Sequence, residues 1–419
     1  MPAVLVLVCS LLLGLHMGQW WQRLLPQAPT DFKCLYYAAK YMAAGHNPYD
    51  YERLRSYVRS DAEAKLLPLL EVAYSHLEPL PPVVYPPFSL RLLVPFTWLP
   101  FGQAALLHRL LLVGSVMGIF WLAAWCLLRG ARVGWPNWLA LLGLFAYLIS
   151  NQAIENNLYL GQQNLLVAFL VLVAIGASGR LPWLGLVLLL LALGVKPSVG
   201  LVLLPFAYWQ RGSVRFWLQL GIGLLVLGVA GLGHWQDYIF QPETGSSAAW
   251  LGIMQSSAYN QALGGVLYQI VPKMPYYMVA LLGIGLLYCL LALWAGKQTA
   301  IYTAGGISAG RVALALLPAV LLCYLLGPVS WYEHAVVALP VLAIALPEVW
   351  RRVLANSVAS SLASQVQWLV LLLLIYWAFA FSAIELHAPF GTLVVLQAQP
   401  YHFLFLGLIT LLASFKKGQ

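Results

Sequence analysis

Charged side chains are scarce in this chain of 419 residues. Only 8% of the residues are Asp, Glu, Lys or Arg, whereas a soluble globular domain carries about 25%. Hydrophobic residues make up 62%, so the chain has too few polar side chains to cover the surface of a water-soluble fold. Apolar runs such as 106–128 and 276–295 reach the length of about 20 residues that a helix needs to cross a bilayer. These features predict an all-α integral membrane protein.

Signatures of several other chemistries are absent from the sequence. The five cysteines form no Cys-x-x-Cys pair, which argues against a disulfide framework or a metal cluster. No His-Glu-x-x-His, Asp-x-Asp or P-loop sequence occurs, so we expect no metal and no other cofactor, and ATP-driven transport is unsupported. The net charge of +9 is interpreted as loop charge near lipid headgroups. Because no zinc-finger spacing or basic-aromatic stripe accompanies it, nucleic acid is not an expected partner.

Hydropathy predicts one polytopic membrane domain over residues 1–419, with about 12 transmembrane helices. The predicted spans are 3–22, 103–128, 136–150, 164–178, 182–195, 198–210, 216–233, 276–295, 312–328, 335–347, 367–384 and 400–415. The first apolar segment lacks the basic start and the small-residue cleavage site of a signal peptide, so it is interpreted as a retained helix.

The distribution of charge predicts the orientation of this domain. If both termini are cytoplasmic, basic residues concentrate in the short cytoplasmic loops, as membrane insertion favours, and Glu348 is the only acidic residue on that side. Two long loops then face outward, 23–102 and 234–275, and the unusual polar residues gather at outer helix ends. A transporter would place such residues near the midplane of broken helices. We therefore expect a multi-pass cell-membrane protein with its active site on the outer (periplasmic or extracellular) face.

The first outer loop begins with an amphipathic pattern. Residues 30–44 combine an apolar face with a basic, aromatic face, which predicts a helix lying on the membrane surface. Thr30 or Asp31 is expected to cap its start, and Gly45 to end it. A second helix is expected over 51–66. The prolines that follow are expected to exclude regular structure: Pro79, Pro81, Pro82, Pro86 and Pro87.

Asp31 has two interpretations. A helix cap or a solvated interfacial acid is the simpler one on residue type alone, since functional acids are a minority. Its surroundings favour a functional role, because Asp31 opens the longest outer loop beside the first span, next to several tyrosines and a basic helix face.

Six segments of the chain carry a further signal. They are DFKCLYYAAKYMAAGHNPYD at 31–50, VVYPPFSLRLLVPFTWLP at 83–100, GQQN at 161–164, VKPSVGLVLLP at 195–205, QSSAYNQAL at 255–263 and GPVSWYEHAVVALP at 327–340. In this order they resemble the motifs of glycosyltransferase family 87, the polyprenol-phosphate-mannose-dependent α-1,2-mannosyltransferases. Each segment alone is a weak signal, whereas the ordered set is specific. One departure is Glu333, which precedes His334 where the family usually has two adjacent histidines.

The resemblance implies a polytopic helical bundle of the GT-C type, which acts as a hexosyltransferase on the outer face. Its implied partners are a polyprenyl-phosphate sugar donor, with mannose as the expected sugar, a glycolipid or lipid-linked glycan acceptor, and membrane lipids. Phosphate is a competent leaving group, whereas an acceptor hydroxyl needs a base at neutral pH. Asp31 is the candidate catalytic base, and a single displacement would invert the anomeric centre.

The other candidate residues would bind substrate. Lys196 and His334 are candidates for binding the donor phosphate, with a snorkelling side chain as the simpler interpretation of Lys196. Trp331 is a candidate for stacking on a sugar ring, with an interfacial anchor as the alternative. The full set of sugar or acceptor candidates is Tyr37, Tyr85, Gln162, Asn164, Asn260, Trp331 and Glu333.

Two other interpretations stay open at this stage. Transfer of another lipid-linked sugar, such as arabinofuranose or glucose, is compatible with the same motifs, because recognition of sugar hydroxyls cannot be read from the sequence. A lipid or polysaccharide transporter is the alternative from another class. It would be expected to contain inverted repeats, and the chain shows no convincing internal repeat.

Overall fold

A computed structural model describes residues 2–24, 29–60, 83–129, 133–150, 152–178, 181–209, 212–239, 286, 290, 309–325, 336–356, 384–387 and 393–396. Apart from one pair of short strands, the elements in these residues are helical, as predicted. The helices are α1 (Pro2–Leu24), α2 (Thr30–Ala43), α3 (Tyr51–Ser60), α4 (Pro87–Leu93), α5 (Phe101–Leu128), α6 (Trp135–Ser150), α7 (Gln152–Leu160), α8 (Asn164–Ser178), α9 (Pro182–Val195), α10 (Gly200–Trp209), α11 (Val214–Ala230), α12 (Trp235–Ile239), α13 (Ala309–Leu325) and α14 (Ala338–Asn356). Short 3-10 helices, Val94–Trp98 and Pro197–Val199, follow α4 and α9.

Two helices in the described part of the chain are long and apolar enough to cross a membrane, Ala3–Leu24 and Phe101–Leu128. A third crossing is added if α6 and α7, which meet at a bend of 49°, are taken as one broken span. The other apolar helices are shorter, so the prediction of about 12 spans is not confirmed. The predicted span 400–415, and nearly all of 276–295 and 367–384, lie outside the described residues.

The apolar helices pack into a bundle with one continuous core. Helix α8 packs on α9 and on α5, and α13 packs on α14 and α10. Residues at the centre of this core have no exposed surface at all: Leu13, Val116, Leu172, Leu189 and Leu317. Helix α11 lies at the edge of the bundle and leaves apolar side chains uncovered, as expected for a helix whose solvent is lipid.

A second buried cluster is built from the first predicted outer loop. Helix α2 lies at its centre and packs against α3, α4, the 3-10 helix Val94–Trp98 and the start of α5. Every residue from Phe32 to Ala39 is buried, including Lys33, which is only 3% exposed. The expected helix at 30–44 therefore exists, but it is not a surface helix with one free face, because neighbouring elements cover both faces.

The start of α2 differs from the sequence expectation. Its N-cap residue is Pro29, so neither Thr30 nor Asp31 occupies the cap position. Asp31 instead lies in the first turn of α2, where the positive end of the helix dipole stabilises a carboxylate. The expectation for the other end is confirmed, because Gly45 has a φ of 85° and its N–H donates to the carbonyl of Met42 at 3.0 Å.

The proline-rich stretch is more regular than expected at its end. Pro86 is the N-cap of α4, and Pro87 is its first residue. Proline is compatible with this position because the first N–H groups of a helix have no intrahelical partner and the proline φ suits a helix. The expectation of irregular structure at Pro87 is therefore wrong.

One described element is not helical. Strands β1 (Ile384–His387) and β2 (Leu393–Leu396) pair antiparallel, with Ile384 opposite Leu396. Valine in β2 favours extended backbone. The assignment of residues 1–419 to a single membrane domain, and of 23–102 and 234–275 to its outer loops, stays a prediction.

Candidate functional site

The turn between α7 and α8 is pressed against the first turn of α2. Gly161 begins this turn with a φ of 72°, which residues with a side chain rarely adopt. A Cβ atom at Gly161 would lie 2.8 Å from Cβ of Phe32 and 2.9 Å from Cβ of Pro29. Asp31 stands between these two contact residues in the chain. The close packing of a glycine therefore brings the GQQN segment beside Asp31.

Asn164 is the centre of a buried hydrogen-bond network. Lys196 Nζ donates to Asn164 Oδ1 at 2.5 Å. Asn164 Nδ2 donates to Gln162 Oε1 at 2.7 Å and to Asn157 Oδ1 at 3.0 Å. A side-chain amide has two N–H donors, so both donors of Asn164 are used within the protein. Asn164 therefore holds the lysine and the turn together.

Lys196 reaches this network because a helix ends beside it. It is the C-cap of α9 and has extended backbone angles, φ −139° and ψ 104°. Pro197 follows, and residues before proline favour such extended angles. The ammonium group thus lies near the negative end of the α9 dipole while the side chain stays half-buried.

A second link joins α4 to the same turn. Ser89 Oγ donates to Gln163 Oε1 at 3.0 Å, and both side chains are buried. The two residues are 74 positions apart. We call Ser89, Asn157, Gln162, Gln163, Asn164 and Lys196 the polar cluster. It unites the Tyr-Pro-Pro, GQQN and Lys-Pro segments, which the sequence identified separately.

Tyr85 lies within electrostatic reach of Asp31. Burial raises the pKa of the Tyr85 phenol, and the negative charge of Asp31 raises it further. The phenol is therefore a neutral hydrogen-bond donor at physiological pH. The backbone of Tyr85 is also held in place, because Tyr49 Oη donates to the Tyr85 carbonyl at 2.8 Å.

Tyr37 contributes to an aromatic layer rather than to an open surface. Its side chain is fully buried, and its ring centroid is 5.9 Å from that of Phe101. Lys40 Nζ lies 5.6 Å from the Tyr37 ring centroid, a distance typical of cation–π contacts. The predicted contact between Tyr37 and a sugar stays a prediction.

The remaining predicted residues, Asn260, Trp331, Glu333 and His334, lie outside the described residues. Within the described ranges, no group of three His, Cys, Asp or Glu side chains is arranged to hold a metal ion.

The ordered motifs and the polar cluster they form agree with the comparison to known sequences. A sequence model of glycosyltransferase family 87 matches residues 84–308, more than half of the chain. The chain belongs to glycosyltransferase family 87. The matched range includes Tyr85, the polar cluster and Asn260, whereas Asp31 lies before it.

Two relatives of this family 87 chain come from Mycolicibacterium smegmatis (strain ATCC 700084 / mc(2)155). The chain is 27% identical over 284 residues to a polyprenol-phosphate-mannose-dependent alpha-(1-2)-phosphatidylinositol mannoside mannosyltransferase, covering 65% of this chain and 63% of the relative. It is 25% identical over 269 residues to a polyprenol-phosphate-mannose-dependent alpha-(1-2)-phosphatidylinositol pentamannoside mannosyltransferase, covering 62% and 60%. The chain thus spans less than two thirds of the length of either relative. No solved structure matches the chain.

Three members of the polar cluster were not among the residues predicted from the sequence. Ser89 and Gln163 stand inside recognised motifs, but nothing in the sequence indicates that they bond to each other. Asn157 had a signal, because it is an amide near the end of a mainly apolar segment and lies 7 residues before Asn164. Buried amides in such segments need hydrogen-bond partners.

Proposed function

We propose that this family 87 chain transfers mannose from a polyprenyl-phosphate donor to a hydroxyl of a lipid or glycan acceptor at the outer face of the cell membrane. One observation supports this most. A lysine ammonium is held 2.5 Å from a buried asparagine, in a cluster packed against the helix turn that carries Asp31. The names of both M. smegmatis relatives support the donor class and a lipid-linked acceptor.

In this proposal Lys196 binds the phosphate of the donor. Negative charge builds up on that phosphate as its bond to the sugar breaks. At 4 Å, opposite unit charges attract by about 4 kcal/mol near a protein surface. Asn164 fixes the direction of the ammonium group before substrate arrives, and such preorganised charge stabilises a transition state without further rearrangement.

Asp31 acts as the general base. The acceptor oxygen forms a bond to the anomeric carbon while the bond from that carbon to the phosphate oxygen breaks. The hydroxyl proton passes to the Asp31 carboxylate, and polyprenyl phosphate leaves. A base in this position contributes about 10²–10⁴-fold in rate. A single displacement of this kind inverts the anomeric configuration, so a β-linked donor yields an α-linked product.

The sugar-binding proposals differ between the two amides. Both Asn164 donors are engaged within the protein, so its proposed role is to position Lys196 and Gln162. Gln162 accepts through Oε1, and its amide NH₂ group is the part proposed to bind a sugar hydroxyl. The Tyr85 phenol, which stays protonated, is the second proposed donor. Sugar or acceptor roles for Asn260, Trp331 and Glu333, and a phosphate role for His334, are proposed from the motifs alone.

The proposed orientation of the chain in the membrane is supported by the distribution of charged residues and by one contact between the two long loops. The Tyr49 ring of the first predicted outer loop lies 5.6 Å from the Tyr238 ring, at the start of the second. A contact between the two loops supports their lying on the same side of the membrane. With basic residues concentrated on the opposite side, we propose that this side is the outer one and that both termini are cytoplasmic.

Donor turnover in liposomes tests the proposal. Polyprenyl-phosphate-mannose and a membrane glycolipid pool would be supplied to the wild-type protein, Asp31→Asn and Glu52→Gln. Glu52 is a matched control, because it is an exposed acid of the same loop that pairs with Arg55 at 3.6 Å. Transfer by the wild type and Glu52→Gln at similar rates is expected, with a rate lower by about 10²–10⁴-fold in Asp31→Asn.

Equal transfer by all three proteins would remove Asp31 from the mechanism. If the wild type uses polyprenyl-phosphate arabinofuranose or glucose instead of the mannose donor, the proposed sugar is wrong and the donor class is retained. Turnover of none of these donors, by a folded protein in liposomes with the glycolipid pool, would contradict the proposed function.

A further inference from the structure

Two consecutive residues of α5 hold the two ends of the connection between α1 and α2. The His108 ring stacks on the Phe32 ring, with centroids 4.1 Å apart and planes inclined by 17°. Arg109 Nη1 donates to the carbonyl of Leu24 at 2.6 Å. Both side chains are buried, at 3% and 4% exposure. Neither residue belongs to the polar cluster.

Each contact fixes a different helix end. Leu24 is the last residue of α1, and the last carbonyls of a helix have no intrahelical partner. Because this end also carries the negative pole of the helix dipole, a buried guanidinium is well suited to it. Phe32 lies in the first turn of α2, directly after Asp31. The contacts of His108 and Arg109 therefore hold the chain on both sides of Asp31.

Phe32 is also held from a second direction. Its Cβ lies so close to Gly161 that a methyl group there would approach it to 2.8 Å. The first turn of α2 is thus enclosed by the His108 ring and by the Gly161 backbone. Because the first turn of α2 is packed on two sides, the position of Asp31, the residue before Phe32, is restricted.

His108 has no other evident role within the described residues. Neither ring nitrogen has a hydrogen-bond partner there, although burying such groups is unfavourable. Its ring contacts are the close stack on Phe32 and a wider edge contact with Phe96 at 6.4 Å, and the stack on Phe32 is the closer of the two. We propose that His108 and Arg109 are positioning residues, which hold Asp31 in register with the polar cluster. This inference rests on the proposed role of Asp31 as base.

Two substitutions at one position separate stacking from ring polarity. His108→Phe keeps a flat ring against Phe32, whereas His108→Ala removes it. His108→Ala is expected to lower kcat by about 10–100-fold, because small misplacements of a catalytic group cost rate of this order, with the donor KM nearly unchanged. His108→Phe should keep most of the activity. Equal loss in both variants, or no loss in His108→Ala, would overturn the inference.

A double variant distinguishes positioning from a loss of stability. If His108 acts through Asp31, then His108→Ala has no further effect on the residual rate of Asp31→Asn. Phe120→Ala is the stability control, because Phe120 is a fully buried residue of the same helix that packs on Phe145 at 6.0 Å. A rate loss that follows the melting temperature equally in Phe120→Ala and His108→Ala would contradict a positioning role.

Arg109 is tested with a charge-conserving pair. Arg109→Lys is expected to keep more of kcat than Arg109→Met, since an ammonium still satisfies the end of α1. Equal kcat in the two variants would remove Arg109 from the inference.

A labelling experiment keeps the inference testable if no donor is turned over. Asp31→Cys would be reacted with a maleimide after the native cysteines are replaced by serine. His108→Ala is expected to raise the labelling rate severalfold, while His108→Phe leaves it unchanged. An unchanged rate in His108→Ala would show that the stack does not restrain position 31. Inactivity of the wild type with every donor would count only against the proposed function.

Discussion

Helices α2 and α11 differ from helices of soluble proteins in which side chains they bury. Polar side chains are buried in α2, and apolar side chains are exposed in α11. Helix α2 contains lysines, tyrosines and Asp31, and yet it is enclosed on nearly every side. Helix α11 is almost entirely apolar, and it exposes Leu218 at 62% and Leu225 at 66%. In lipid an apolar side chain needs no cover, whereas polar groups must find partners inside the protein.

Buried polar groups, rather than buried apolar ones, indicate the functional part of such a chain. Burial of apolar residues against lipid says little about chemistry, because lipid tails are as apolar as leucine. Burial of polar groups is costly unless they are hydrogen-bonded. The polar cluster and α2 therefore mark the part of the bundle where a role beyond packing explains the residue types. Four substitutions sharpen or break this contrast, in order of decreasing expected effect.

Removing the cation of the polar cluster is expected to have the largest effect. Lys196→Met should lower kcat/KM by about 10²–10³-fold, the usual loss when one transition-state donor is removed. Lys196→Arg keeps the charge and should retain more activity, although its planar geometry does not match that of an ammonium. The measurement is donor turnover at subsaturating donor. Wild-type activity in Lys196→Met would exclude Lys196 from donor binding.

Adding a side chain at Gly161 should have the next largest effect. Gly161→Ala combines a φ of 72° with a contact of 2.8 Å to Phe32 and is expected to lower the free energy of unfolding by about 1–3 kcal/mol. Gly143→Ala is the matched control, because a Cβ there meets nothing within 4 Å. Thermal unfolding in detergent compares the two. Equal melting temperatures would contradict the tight packing of α2.

Removing a single hydrogen bond of α2 is expected to lower the free energy of unfolding by less than Gly161→Ala does. Tyr36 Oη donates to the carbonyl of Leu99 at 2.8 Å. Tyr36→Phe removes this donor and should cost about 0.5–1.5 kcal/mol of unfolding free energy. The melting temperature of the purified variant measures it. A variant as stable as the wild type would mean that the carbonyl finds another donor.

The exposed face of α11 should tolerate change best. Leu225→Ala is expected to alter the unfolding free energy by less than about 0.5 kcal/mol, as is usual away from packed sites. Leu172→Ala in the core is the contrasting variant, with an expected loss of about 2–5 kcal/mol. Melting curves in detergent measure the stability of both variants. A large loss in Leu225→Ala would show that this face contacts protein rather than lipid.

Several features of the protein were readable from the sequence because they are local. Apolar run length predicted the helices, and α2 and its end at Gly45 followed from periodicity and from glycine. The family resemblance rested on residues in a fixed order, and the family match confirmed it. Two of the errors were local. Thr30 or Asp31 was expected to cap α2, and Pro87 to exclude regular structure, although the cap is Pro29 and Pro87 begins a helix. The expectation that α2 lies on the membrane surface was wrong for a tertiary reason, because the elements that enclose it come from other parts of the chain.

Composition and motif order were sufficient to predict a membrane-embedded helical chain of family 87, since neither depends on how the helices pack. Three contacts became visible only in the folded protein: Ser89 donates to Gln163 across 74 residues, Lys196 donates to Asn164, and His108 stacks on Phe32. These pairs are distant along the chain and carry no local pattern. They form because helix packing brings their ends together, and buried polar groups then bond to the partners they meet there.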